Sequence, residues 1–110
     1  MKTNSIIWKS DQSAQLVNVL TSLQESASMR AFLGDVMTEK EIVEIGARLE
    51  AARMLDAGEK YTDITKETKL SSRTIARISS WLQNGDNGYV KAIKVISDSH
   101  HDHILPDRAE

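Results

Sequence analysis

The segment YTDITKETKLSSRTIARI, residues 61–78, has the pattern of two short helices joined by a tight turn. Ser71 can cap the second helix, because its side-chain oxygen can accept a hydrogen bond from an orphan amide of the first turn. Apolar residues recur at spacings that place them on one side of the helix pair. They are Ile64 in the first helix, Leu70 in the turn, and Ile75 and Ile78 in the second helix. The pattern predicts a helix-turn-helix over about residues 61–83.

The second of these helices carries positive charge on the face opposite its isoleucines. No acidic residue occurs in residues 68–83, whereas Lys69, Arg73 and Arg77 are basic. Residues 59–85 hold five Lys or Arg against three Asp or Glu, although the whole chain has a formal net charge of −2. A helix-turn-helix places its second helix in the DNA major groove. Because phosphate attraction supplies much of the affinity of such modules, the local charge predicts double-stranded DNA as a partner.

The exposed face of the second helix and its first turn supply the candidate DNA contacts. Arg73 is the best placed for a guanine edge, where a bidentate contact contributes about 1–3 kcal/mol of discrimination. Ser71 and Ser72 lie at the amide-rich N-terminus, which can hold a phosphate. Lysines before the helix can contact the phosphate backbone. The residues predicted to bind DNA are Lys66, Lys69, Ser71, Ser72, Arg73, Thr74 and Arg77.

Apolar spacing predicts four further helices, and no segment alternates like a β-strand. These helices cover about residues 11–25, 28–35, 38–57 and 87–96. Thr38 and Glu41 form a capping box at the start of the third helix, and Gly58 is its C′ residue. We therefore predict an all-α fold of about six helices in a single domain, residues 1–110. Residues 1–10 and 98–110 are predicted to be flexible.

The two N-terminal helices carry apolar stripes but are short and poor in aromatic residues. A second copy of the chain would bury these stripes, which favours a homodimer. Two-fold symmetry would also let two reading helices meet successive major grooves about 34 Å apart. The alternative is a compact monomer whose N-terminal helices fold back onto the third helix.

The composition argues against several other classes of protein. No cysteine is present, so the chain has neither disulfides nor a thiolate metal site. No apolar run approaches the ~20 residues that span a bilayer, and the N-terminal apolar stretch is too short for a signal peptide. We expect a cytoplasmic protein that has no membrane partner. The chain has no nucleophile elbow and no glycine-rich phosphate loop, so we expect no enzyme.

The histidines lie together near the C-terminus, in His100-His101-Asp102-His103. Imidazole and carboxylate ligands suit zinc or nickel. Structural metal sites need ligands on a rigid frame, however, and a terminal cluster is more often a solvated tail. We therefore predict no metal site and no cofactor.

Residues 37–78 resemble the Trp repressor superfamily, most closely its YerC/YecD-like branch. The shared features are Thr38 with its acidic first turn, a helix ending at Gly58, and a set of single residues. These single residues are Gly46, Arg48, Ser71, Thr74, Ile75 and Arg77. The resemblance implies an intertwined, all-helical homodimer that acts as a bacterial transcription regulator, such as a repressor.

The resemblance also implies an effector pocket between the third helix and the reading helix. In the tryptophan-binding members two arginines sandwich the indole ring, and Arg48 and Arg77 match their positions. Thr74 matches a threonine near that pocket, and Thr38 lies at the position whose neighbourhood caps the effector's amino group. These members have a glycine directly after the second arginine, where this chain has Ile78. Because a branched side chain would fill that space, tryptophan is not expected as the effector.

Lys69 and Trp81 are two further positions with predicted environments. Lys69 stands in the turn where the family usually has glycine, and a positive φ there costs a non-glycine residue about 1 kcal/mol. Trp81 is expected in the core or in an interface. The main alternative function is a protein-interaction helical module without direct DNA binding. A regulator of replication initiation that uses a similar hairpin is the other alternative.

Overall fold

The computed structural model describes residues 6–101, with side chains through Ser99, and the regular structure in this range is helical throughout. A 3-10 helix at Ile6–Lys9 precedes six α-helices. The α-helices are α1 (Asp11–Ser22), α2 (Ser26–Val36), α3 (Glu39–Asp56), α4 (Tyr61–Thr68), α5 (Ser72–Asn84) and α6 (Gly88–His101). This architecture confirms the all-α fold with six helices.

Several helix ends differ from the sequence prediction. α1 ends at Ser22 rather than near residue 25, and α2 begins at Ser26 rather than near residue 28. α6 runs to His101, whereas the polar composition predicted an end near residue 96. Asp98 in that added turn forms an i,i+4 ion pair of 3.7 Å with Lys94 in the preceding turn, which supports helical structure. The ends predicted as flexible therefore include a 3-10 turn and the last turn of α6.

The ends of α3 have the geometry that the sequence predicts. Thr38 Oγ1 accepts from the Glu41 amide at 3.1 Å, and Glu41 Oε1 accepts from the Thr38 amide at 2.8 Å. Gly58 has a φ of 84°, and the Glu59 amide donates to the Met54 carbonyl at 3.0 Å. These bonds are a capping box and a Schellman motif, and both confirm the prediction.

The chain forms two compact units, of which the first ends at Ile45 and the second begins at Gly46. In the first unit, no described side chain is buried. Leu16 of the α1 stripe is 46% exposed, and Val43 at the start of α3 is 70% exposed. The helices of this unit therefore leave their apolar faces without a closed core.

The second unit encloses the core of the described chain. The core residues are Ala51, Ala52 and Met54 of α3, Ile64 of α4, and Ile75 and Ile78 of α5. Leu55, Leu70, Leu82, Tyr89 and Ile93 pack against them. Because this core joins α4 and α5 to α3, it fixes the direction in which α5 presents its outer face. Trp81, by contrast, is 42% exposed, so of its two expected positions the core is wrong and the interface stays a prediction.

Candidate nucleic-acid interface

The turn between α4 and α5 is held by local hydrogen bonds. The Thr68 side chain is buried, and its Oγ1 donates to the Ile64 carbonyl at 2.7 Å. The same oxygen accepts from the Leu70 amide at 3.3 Å. Lys69 has φ 65° and ψ 12°, in the left-handed region, and its amide donates to the Thr65 carbonyl at 2.8 Å. Lys69 therefore adopts the positive φ of a position where the resembled family usually has glycine.

Replacing Lys69 with glycine should stabilise the fold and weaken duplex binding at the same time. Glycine adopts positive φ without a Cβ penalty, so we expect a gain of about 1 kcal/mol in the free energy of unfolding. Loss of the ammonium group removes one phosphate contact from the proposed interface. Urea titration measures the first effect and a duplex-binding titration the second.

The matched control for this change is Lys69→Ala, which removes the charge but keeps the strained conformation. It should weaken duplex binding as the glycine variant does, without the gain in stability. A glycine variant less stable than the parent would contradict the assignment of strain to this residue.

The start of α5 is capped by Ser71. Its Oγ accepts from the Thr74 amide at 3.1 Å and donates to Thr74 Oγ1 at 3.1 Å. The N-cap prediction is confirmed. The cap uses the Thr74 amide, and the helix dipole makes this end of α5 electrostatically favourable for an anion.

The side chains of α5 lie on two faces, one buried and one exposed. Ile75 and Ile78 are 0% exposed in the core, whereas Arg73 and Arg77 are exposed. Of the seven residues predicted to bind DNA, Thr74 is half-buried and the others are exposed. The exposed ones are Lys66, Lys69, Ser71, Ser72, Arg73 and Arg77. The α4–α5 pair therefore presents four basic side chains to solvent.

The residues matched to the family's effector pocket have different environments. Arg48 and Thr74 are half-buried, and Arg77 is exposed, all in the second unit. Thr38 is exposed and lies in the first unit, where its hydroxyl caps α3. Ile78, which stands where the tryptophan-binding members have glycine, is completely buried in the core.

Arg53, Glu50 and Tyr89 have pKa values that their surroundings shift. Arg53 donates to Glu50 through Nε at 2.9 Å and Nη2 at 2.7 Å. This bidentate pair lowers the pKa of Glu50 and raises the pKa of Arg53. Burial raises the pKa of Tyr89, and the positive charge of Arg48 opposes that rise. The i,i+3 spacing of Glu50 and Arg53 predicts their ion pair from the sequence. The burial of Tyr89 depends on how α6 packs and is not visible in the sequence.

Tyr61 is a further residue that the sequence reasoning missed. It is the first residue of α4 and is 41% exposed. In helix-turn-helix proteins the first helix crosses the DNA backbone. The sequence signal that could have identified Tyr61 is its position, because an aromatic residue with a hydroxyl begins the helix that crosses the backbone.

Neither a metal site nor a membrane span is found in the described part of the chain. Its side chains contain no group of three or more His, Cys, Asp or Glu that could hold a metal ion. The His100-His101-Asp102-His103 cluster lies outside the residues whose side chains are described. No helix within residues 6–101 combines the length and the apolar character that crossing a membrane requires.

A buried isoleucine core that fixes a capped, outward-facing basic helix defines a helical helix-turn-helix protein. The family model described as Trp repressor protein matches residues 11–97. The chain belongs to the Trp repressor family, in its YerC-like branch.

Two relatives support this assignment. The uncharacterized protein YerC of Bacillus subtilis (strain 168) is 35% identical over 85 residues, which cover 77% of this chain and 82% of YerC. The crystal structure of a TrpR-like protein from Eubacterium eligens ATCC 27750 superposes with a TM-score of 0.79 at 30% identity. That match covers 84% of this chain and 96% of the other.

Proposed function

We propose that the chain is a bacterial, cytoplasmic, sequence-specific DNA-binding regulator of transcription, most simply a repressor, and that it acts as a homodimer. The observation that carries this proposal is that α5 has one buried apolar face and one exposed basic face. Its isoleucines are completely buried in the core, while Arg73 and Arg77 on its other face are exposed. A surface of this kind can enter a major groove without changing the fold.

The contacts at the proposed interface divide into two kinds. Arg73 lies in the first turn of α5, from which a helix-turn-helix reads base edges, and we assign it to a guanine. Lys66 and Lys69, from α4 and the turn, are assigned to phosphates on either side of the groove. The family position of Arg77 favours an effector-side or structural role. Its exposure one turn beyond Arg73 supports a contact to DNA instead, and we assign it there.

The first unit supports the homodimer. Its helices have no buried side chain in the described range, and Leu16, Val17 and Ile45 are between 40% and 52% exposed. Apolar faces of this extent mark interaction surfaces. A second copy of the chain is the partner that we assign to this apolar surface, because a two-fold pair of reading helices matches a two-fold operator.

Duplex binding at several salt concentrations tests the DNA assignment. Affinity should fall steeply with salt, with a slope of about −0.9 for each phosphate contact on a log–log plot. Lys66→Ala should reduce that slope by about one contact on each protomer. Arg73→Ala should cost about 1–3 kcal/mol of binding to a selected operator and relax its sequence preference.

Lys91→Ala is the matched control, because Lys91 is an exposed lysine on α6 outside the helix-turn-helix. Its affinity and salt slope should equal those of the parent. If the parent binds neither selected nor random duplex at low salt, the DNA assignment is wrong and the protein-interaction module replaces it.

A further inference from the structure

The connection between α5 and α6, residues 84–88, contains two Asn-Gly pairs, Asn84-Gly85 and Asn87-Gly88. Both asparagine side chains are exposed to water. In an Asn-Gly pair the backbone nitrogen of the glycine can attack the side-chain amide of the asparagine, because glycine has no Cβ to obstruct the approach. In a folded chain the reaction depends on whether hydrogen bonds hold that nitrogen and the asparagine in place.

The first pair is held by the end of α5. Asn84 is the last residue of that helix, and the Gly85 amide donates to the Trp81 carbonyl at 2.9 Å. The nitrogen that would attack is therefore already bound, and this bond must break before the side chain of Asn84 can react with it. We expect the first pair to react slowly in the folded protein.

The second pair has no comparable restraint. Asn87 has a φ of 69°, outside the extended region of an ordinary N-cap, although its carbonyl accepts from the Lys91 amide at 3.0 Å. Among the described residues its side chain has no hydrogen-bond partner. Gly88 is the first residue of α6, so its amide has no acceptor within the helix, and no other described residue accepts from it. Both reacting groups of this pair are therefore unbound within residues 6–101.

We propose that Asn87 is a site of spontaneous deamidation. The Gly88 nitrogen attacks Cγ of Asn87 and loses its proton, the new N–Cγ bond closes a succinimide ring, and the side-chain nitrogen leaves as ammonia. Water then opens the ring. Attack of water at Cγ breaks the new bond and leaves aspartate, whereas attack at the backbone carbonyl leaves isoaspartate, in which the chain continues through Cγ.

The two products have opposite effects on the start of α6. The first turn of α6 has no acidic residue, so an aspartate at position 87 adds a negative charge where the helix dipole favours one. Isoaspartate instead adds a carbon to the backbone just before α6, whose Tyr89 and Ile93 pack against the core. Isoaspartate should therefore loosen that packing and lower the melting temperature.

The test is peptide mapping of the intact protein after incubation in mildly alkaline buffer, well below its melting temperature. Trypsin releases residues 78–91 as one peptide that carries both pairs, and fragment masses locate the conversion of amide to acid. We expect Asn87 to convert at least roughly tenfold faster than Asn84, because the bound Gly85 amide raises the barrier of the first pair. Protein that has not been incubated gives the baseline.

Protein unfolded in guanidinium chloride is the matched control. Both pairs lose their fixed conformation there, so Asn84 and Asn87 should convert at similar rates. Gly88→Ala is the matched variant, since a Cβ at Gly88 would meet no atom within 4 Å. The added methyl group should slow conversion of Asn87 by at least roughly tenfold and leave that of Asn84 unchanged.

Conversion of Asn87 no faster than that of Asn84 in the folded parent overturns the inference. Parent-like conversion of Asn87 in a folded Gly88→Ala variant also overturns it, because the acid would then form without the succinimide. If that variant does not fold, the ratio of the two rates in the folded parent decides. None of these measurements involves DNA, so failure of the proposed function leaves them unchanged.

The effect on α6 has a separate readout. Ion exchange followed by peptide mapping isolates the isoaspartate form from aged protein, and Asn87→Asp supplies the aspartate form. We expect the isoaspartate form to melt below Asn87→Asp, which should melt at or above the parent temperature. Equal melting of the two forms would overturn the assigned effect on the start of α6.

Discussion

Replacing Ile75 with alanine is expected to lower the free energy of unfolding by about 2–5 kcal/mol. Ile75 is 0% exposed and lies on the inner face of α5, in the core that contains Ala51 and Ile64. Its truncation removes apolar burial and leaves a cavity that the surrounding helices fill only in part. Urea titration followed by circular dichroism measures the loss directly.

The same helix supplies the control for this experiment. Arg73→Ala changes an exposed side chain two residues away, so its effect on stability should stay within about 0.5 kcal/mol. Its effect on duplex affinity should be large, whereas folded Ile75→Ala keeps every proposed DNA contact. Such truncations in a well-packed core cost at least about 2 kcal/mol. A measured loss below about 1 kcal/mol for Ile75→Ala would show that this core does not anchor α5.

The features that the sequence predicted correctly depend on short-range interactions. The capping box links Thr38 to Glu41, and the cap of α5 links Ser71 to Thr74, each across three residues. The left-handed Lys69 stands where the resembled family usually has glycine, so this feature came from the resemblance and not from the local pattern. The buried isoleucines follow from the 3.6-residue period, because one apolar face must turn inward.

The features that the sequence did not predict depend on packing between distant segments. Trp81 follows Ile78 at helical spacing, which predicts an inward position, yet the described chain leaves 42% of it exposed. Tyr89 packs against the core only because α6 returns to it, which no local pattern specifies. The last turn of α6 is polar, and its helical structure adds to a helix already anchored by Ile93. Local propensity cannot decide such cases, since tertiary contacts determine them.

The proposed homodimer predicts that stability depends on protein concentration. When folding requires association, each tenfold rise in chain concentration should raise the apparent free energy of unfolding by about 1.4 kcal/mol. Thermal melts over a hundredfold range of concentration measure this shift. A melting temperature independent of concentration, with a monomer in sedimentation equilibrium, would contradict the homodimer.

Leu16→Glu should produce the largest effect on assembly. Leu16 is 46% exposed in the single chain, where a polar substitution should cost no more than about 0.5 kcal/mol. In a dimer that buries the α1 stripe, the same carboxylate would be unpaired in an apolar interface, at a cost of about 3–5 kcal/mol. We therefore expect a variant that is monomeric and largely unfolded at micromolar concentration, as measured by sedimentation and circular dichroism.

Gln15→Glu adds the same charge one position away, on an exposed side chain that lies outside the apolar stripe. It should remain dimeric and as stable as the parent. Because both variants have the same net charge and nearly the same helix propensity, a difference between them can come only from burial of the Leu16 face. Equal behaviour of the two variants would mean that this face stays in water, and the first unit would then need another explanation for how it stays folded.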